Sequence, residues 1–309
     1  MKILFSLLLS LLTLSTFGQK LDWIPFSWVG DSISGKYYDK LAMNIPVTID
    51  NLPHNFNMQL DLGAIETVIY GNSISPYLEK YPELKNKIDT SLTFWIQSQK
   101  NLKFRGVNFK LGSVSFGSNN IGHFKNFGDE ISKDSIMTKS EKHIGTIAPD
   151  IFQDKILIID YPNKRICVTK EIPPQYESAS FQPYKIKEGR IRVPFLINNK
   201  VEDLMFDTGS SLFALMTTQK SAFQISEKNI VDSLKVSSWG EYYMVYGRKV
   251  KSKIKFGNLE LNESVVFYDN VDKYDKFYRN EGVWGITGNA YFLHNIVIID
   301  YKNKRFGVQ

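Results

Sequence analysis

Two aspartates lie in similar glycine-containing turns, Leu60-Asp61-Leu62-Gly63-Ala64 and Phe206-Asp207-Thr208-Gly209-Ser210-Ser211. Each turn closes an apolar run and comes a little after an Ile-Pro or Val-Pro step, Ile45-Pro46 or Val193-Pro194. Two carboxylates that meet cannot both ionise, so one pKa falls and the other rises. The ionised member can take a proton from a water held between them. The protonated member can polarise a carbonyl. This chemistry needs no metal, no cofactor and no covalent intermediate, and the expectation is that the protein uses none.

The elements that must position such a pair also come twice. Ile158-Ile159-Asp160-Tyr161-Pro162-Asn163-Lys164-Arg165 recurs as Ile298-Ile299-Asp300-Tyr301-Lys302-Asn303-Lys304-Arg305. Gly145 and Gly285 precede Asp160 and Asp300 at the same distance. Between aspartate turn and glycine, Phe109 to Gly117 and Lys253 to Leu261 both read as hairpins. Alternating or β-branched runs predict strands at Met43–Ile49, Phe56–Leu60, Val114–Phe116, Ile156–Ile159, Arg190–Ile197, Leu204–Phe206, Lys253–Phe256 and Ile296–Ile299. Helical patterns are few, at Pro76–Ile88 and Thr218–Lys228. The expectation is an all-β chain of two pseudo-symmetric lobes with a cleft between them.

Composition agrees with a folded protein: 309 residues, 43% hydrophobic and 23% charged, enough for two lobes with sizeable cores. The net charge of +6 comes without a basic block interleaved with aromatics, which argues against nucleic-acid binding. Residues 1–18 read as a secretory signal: Lys2, an apolar run from Ile3 to Leu14, then Thr16 and Gly18 before a cleavage point at Gln19. The run is short for a bilayer span, so no membrane anchor is expected. The product would be exported, to the periplasm or beyond. Residues 19–170 form the first lobe, 171–188 a proline-containing linker, and 189–309 the second lobe. The single cysteine, Cys167, cannot form an internal disulfide and reads as a buried strand residue.

The Asp207-Thr208-Gly209-Ser210-Ser211 turn resembles the active-site turn of the pepsin-like aspartic proteases. Ile144-Gly145 and Val283-Trp284-Gly285 resemble that family's hydrophobic-hydrophobic-glycine segments, and the Ile-Ile-Asp-Tyr strands those that follow them. The resemblance spans residues 40 to 309. It implies a bilobal fold, a catalytic pair Asp61 and Asp207, support from Gly63, Thr208, Gly209 and Ser210, and a polypeptide substrate in the cleft. A catalytically inactive relative that binds a peptide or protein uncut is the alternative. Where the family has a second cross-lobe threonine, this chain has Leu62; Ala64 replaces a hydroxyl. The stretch where the family has a Tyr- and Gly-bearing flap, Phe94–Asn101, has neither residue, and there are no cysteines for that family's disulfides. These departures mark a divergent branch, expected to be bacterial.

Other candidates read as structural. Asp160 and Asp300 precede Asn-Lys-Arg runs and suit strand-end turns. Asp203 reads as a solvated hairpin-turn residue. His54, His123, His143 and His294 show no metal-ligand spacing. Ser210 and Ser211 lack a Gly-x-Ser-x-Gly elbow. Trp284 reads as core. Tyr242, Tyr243 and Tyr246 are candidates to line a cleft.

Overall fold

The computed structural model describes residues 21–96, 98–260, 264–270 and 274–309. The segment read as a secretory signal lies outside them. Among the described residues no helix is long and apolar enough to cross a membrane.

The architecture is all-β, with two similar lobes and a cleft between them. They meet at a six-stranded antiparallel sheet in the order Ile24–Pro25, Arg165–Thr169, Ile156–Asp160, Ile296–Asp300, Arg305–Val308, Ser180–Pro183. The two repeated Ile-Ile-Asp strands are its central neighbours, and Ile158 stands opposite Ile298. Their continuous apolar runs reflect burial on both faces. Leu157 and Ile159 enter the main core, while Ile156 and Ile158 pack with Cys167 and Tyr176 on the other side. Burial pushes the Cys167 thiol up to about 11.

Each lobe then uses one arrangement. Phe56–Leu60 runs parallel to Lys142–Ile147, and Lys200–Phe206 runs parallel to Gly285–Thr287. A short strand after each aspartate turn, Val68–Tyr70 or Leu215–Thr217, pairs antiparallel with the same partner and parallel with a later strand. The glycine elements sit at these crossings. A Cβ on Gly145 would run into the Val68 carbonyl, and one on Gly285 into the Met216 carbonyl, so only glycine lets the strands pass.

Several expectations need correction. The helix expected at Pro76–Ile88 begins earlier, as Gly71–Lys80, and breaks before Pro82–Lys85; Ile88 already opens a strand. The helix expected at Thr218–Lys228 is Gln219–Ile225, with Thr218 as its N-cap, its side chain accepting from the Ser221 amide. The strand Ser226–Ser238 follows at once. Asp203 is no turn residue: it pairs with Pro194 in mid-strand and its carboxylate takes the Lys185 ammonium at 2.6 Å, while Asn198 and Asn199 make the turn. The stretch 171–188 carries paired strands at Ser180–Pro183 and Lys185–Lys187.

Candidate active site

Each aspartate begins where its strand ends, and the hydrogen bonding is the same in both lobes. The Asp61 amide donates to the Ile147 carbonyl and the Asp207 amide to the Thr287 carbonyl, both at 2.9 Å. Asp61 Oδ1 accepts from the Gly63 and Ala64 amides at 3.0 Å each. Asp207 Oδ1 accepts from the Gly209 and Ser210 amides at 2.8 and 3.3 Å. These turns put both carboxylates at the base of a cleft of about 930 Å³.

The two turns interlock. A Cβ on Gly209 would sit 2.6 Å from Asp61 Cγ, and one on Gly63 would sit 2.6 Å from Asp207 Oδ2. Neither glycine adopts a positive φ. What they supply is room, so that each carboxylate lies on the opposite lobe's backbone and the two hydrogen-bond to each other. Burial, then the charge of Asp207, then that hydrogen bond push the Asp61 carboxyl well above the usual carboxylate range.

Around this pair the lobes differ. The Ser210 hydroxyl donates to Asp207 Oδ2 at 3.0 Å. Ala64, at the matching position, has no hydroxyl to give Asp61. Donors favour the charged form of a carboxylate, and Asp61 lacks the hydroxyl donor that Ser210 gives its partner. Thr208 is fully buried and braces the first lobe: its hydroxyl donates to the Leu60 carbonyl at 2.7 Å and accepts from the Leu62 amide at 2.9 Å. Leu62 returns no such bond. It is fully buried and forms part of the main apolar core.

Sequence reasoning missed Asn289. Its side-chain amide donates to the Thr208 carbonyl and the Ser211 hydroxyl, both at 3.0 Å, while its carbonyl accepts from the Tyr161 hydroxyl at 2.6 Å. The signal was a break in the repeat, since the matching residue of the first half is Pro149. The Ser211 hydroxyl donates to the Lys40 carbonyl, another tie across the lobes.

Two hairpins rise over the cleft. In the first lobe, Ile88–Ile96 and Gln99–Leu111 place Phe94, Trp95 and Ile96 on the cleft wall. In the second, Ser226–Ser238 and Glu241–Val250 turn at Trp239 (φ 50°) and Gly240 (φ 90°). Positive φ at both central residues suits a tight hairpin turn, although it is unusual for tryptophan. The Trp239 ring crosses to the first lobe and lies 5.9 Å from Phe124 and 5.8 Å from Phe127. Of the three tyrosines expected near a cleft, Tyr243 lines it, with its hydroxyl accepting from Tyr274 at 2.8 Å. Tyr242 is turned outward, and Tyr246 packs by Tyr268.

The remaining candidates stay away from this chemistry. Asp160 and Asp300 are fully buried and accept from Asn163 and Arg165 and from Asn303 and Arg305, so they tie strand ends. His54 bonds the Tyr81 hydroxyl and His143 the Asn57 side chain, while His123 packs on Phe104. Trp284 packs against the core.

No family model matches the chain, and no curated protein matches it. Among solved structures, the aspartic proteinase from Irpex lacteus aligns with 93% of this chain and 96% of its own, at 11% identity and a TM-score of 0.48.

Proposed function

We propose that this protein is an aspartic-type endopeptidase. It would hydrolyse peptide bonds in the inter-lobe cleft, using a water activated by Asp61 and Asp207. The observation that carries this reading is the interlocked pair: two carboxylates, each lying on the other lobe's glycine, both lining a cleft between the lobes.

The roles follow from the donor count. Asp207, with three donors, takes the proton from the water. Asp61 keeps its proton, polarises the scissile carbonyl and transfers that proton to the tetrahedral oxygen. As the C–N bond breaks, Asp207 passes the water-derived proton to the leaving amine and a hydroxyl of the tetrahedral intermediate returns its proton to Asp61, so that the carbonyl reforms and the pair again holds one proton. Such a cycle runs only between the two macroscopic pKa values of the pair. The apolar leader at residues 1–18 supports an exported enzyme.

The test is cleavage of a mixed peptide library by the mature chain from about pH 3 to 7, the range of a shared-proton pair. The chain would be assayed as wild type, Asp61→Asn and Asp207→Asn, with and without a statine-type inhibitor. Cleavage that both substitutions abolish and the inhibitor blocks supports the proposal. Folded wild-type protein that binds the inhibitor but cuts nothing supports the binding module instead.

A further inference from the structure

We propose that the second-lobe wall of the cleft holds a subsite for a peptide carboxylate, anchored by the Arg190 guanidinium. This rests on the peptidase reading and adds a substrate class, peptides that present an acidic group close to the scissile bond.

Arg190 opens the strand Arg190–Ile197 and lines the cleft, yet only 8% of it is exposed. Its Nη2 donates to Glu281 Oε1 at 2.9 Å, and Arg192 Nη2 donates to Glu281 Oε2 at 3.0 Å. Glu281, the last residue of the helix Asp275–Glu281, is as buried as the two arginines. This inner cluster sets two cations against one anion, and an unpaired charge in a poorly hydrated place is costly. The Nε atoms of both arginines are buried without a hydrogen-bond partner. The Arg190 guanidinium also lies 5.5 Å from the Phe277 ring centroid.

The charge is balanced from outside. Glu188 Oε2 accepts from the same Arg190 Nη2 at 2.9 Å, but the Glu188 side chain is 56% exposed. It sits on a surface turn with φ 52°, followed by Gly189. Glu281 is locked in by two arginines; Glu188 is held by one and can swing into solvent. Glu188 therefore stands where a ligand carboxylate would, and an incoming carboxylate can replace it without leaving Arg190 unpaired. Charge-assisted bonds of this kind are the strong ones.

The position suits a substrate contact. A Cβ on Gly189 would lie 3.8 Å from the Ile65 carbonyl, so the turn abuts the active-site turn of the other lobe. Lys187 lines the cleft here too and adds positive charge. Of the other carboxylates on the cleft walls, Glu66 is paired with Lys103.

The carboxylate can come from an Asp or Glu side chain or from the C-terminus of the peptide. The probes are statine-containing peptides, which bind without turnover. They carry Glu or Gln at each flanking position in turn, with a free or amidated C-terminus. Wild-type protein should bind Glu over Gln by about tenfold at one position, or a free over an amidated end by a similar factor. Glu188→Gln removes the resident competitor, so this ratio should widen severalfold. Arg190→Gln, if it folds, should bring it to unity. A Glu188→Gln ratio unchanged or narrowed would overturn the subsite, as would equal affinity for all peptides. Failure of every statine peptide to bind would overturn the peptidase reading, and this proposal with it.

Discussion

The Thr208 hydroxyl reaches from the second lobe into the first and accepts the Leu62 amide proton at 2.9 Å, while Leu62 returns no side-chain hydrogen bond. The brace is one-sided, with one lobe contributing a hydroxyl and the other an apolar plug. Thr208→Val should therefore leave the Leu62 amide and the Leu60 carbonyl without that partner, at about 1–3 kcal/mol for each buried group. Thr208→Ser keeps the hydroxyl and should cost less. Leu62→Thr removes packing from a fully buried site and should cost roughly 1–3 kcal/mol while sparing activity. Urea denaturation with peptidase assays checks all three. Loss of all activity in well-folded Leu62→Thr would mean the plug itself sets the geometry of the pair.

Gly63→Ala and Gly209→Ala each place a methyl group where the opposite carboxylate lies. Each should cut activity by about 10²-fold or more, because a misplacement of about 1 Å is enough to do so. Far-ultraviolet circular dichroism should stay native. Activity near wild type in either variant would show that the carboxylates do not rest on these glycines.

The raised pKa of Asp61 bears on stability. A carboxyl that keeps its proton in the folded state, but loses it when unfolded, makes the fold less stable as pH rises. The loss begins at the unfolded value, 3.8, and is complete above the folded one. Asp61→Asn should thus raise the thermal midpoint at pH 7 and change it little at pH 3. Every tenfold difference in proton affinity between the folded and unfolded chain is worth about 1.4 kcal/mol. Ala64→Ser, which offers Asp61 a hydroxyl donor, should lower its pKa and move the alkaline limb of the pH–rate profile to lower pH. A limb that stays in place would count against Asp61 as the proton carrier.

Trp239 closes the cleft from the second lobe. Edge and tilted aromatic contacts are worth about 0.5–1.5 kcal/mol each, and Trp239 makes two across the cleft. Trp239→Ala should speed association of a statine-type inhibitor by about tenfold, since about 1.4 kcal/mol is a factor of ten. Stopped-flow binding reads this directly. An unchanged association rate would show that ligands enter without moving this hairpin.

The parts legible in the sequence are those set by local chemistry. Asp207-Thr208-Gly209-Ser210 fixes its own turn through amides two and three residues on, so the motif and its geometry coincide. The repeated Ile-Ile-Asp strands were legible because burial on both faces forces an apolar run. The boundary of the helix Gly71–Lys80 was not, because Pro76 suits a first turn yet sits inside the helix. Trp239 and Arg190 were invisible for another reason. What they do depends on Phe127 and Glu281, partners distant in the chain that only the folded lobes bring near.

The pairing of Ile156–Asp160 with Ile296–Asp300 has a consequence for synthesis. When a ribosome has finished the first half, the edge that should receive Ile296–Asp300 is an apolar strand with open backbone groups, and its partner is made 140 residues later. Open edges of this kind recruit other chains, and contacts this distant form slowly. The nascent protein must therefore be kept from its neighbours until Ile296–Asp300 emerges, and a chain truncated before Ile296 should be recovered as aggregate rather than as a free first lobe.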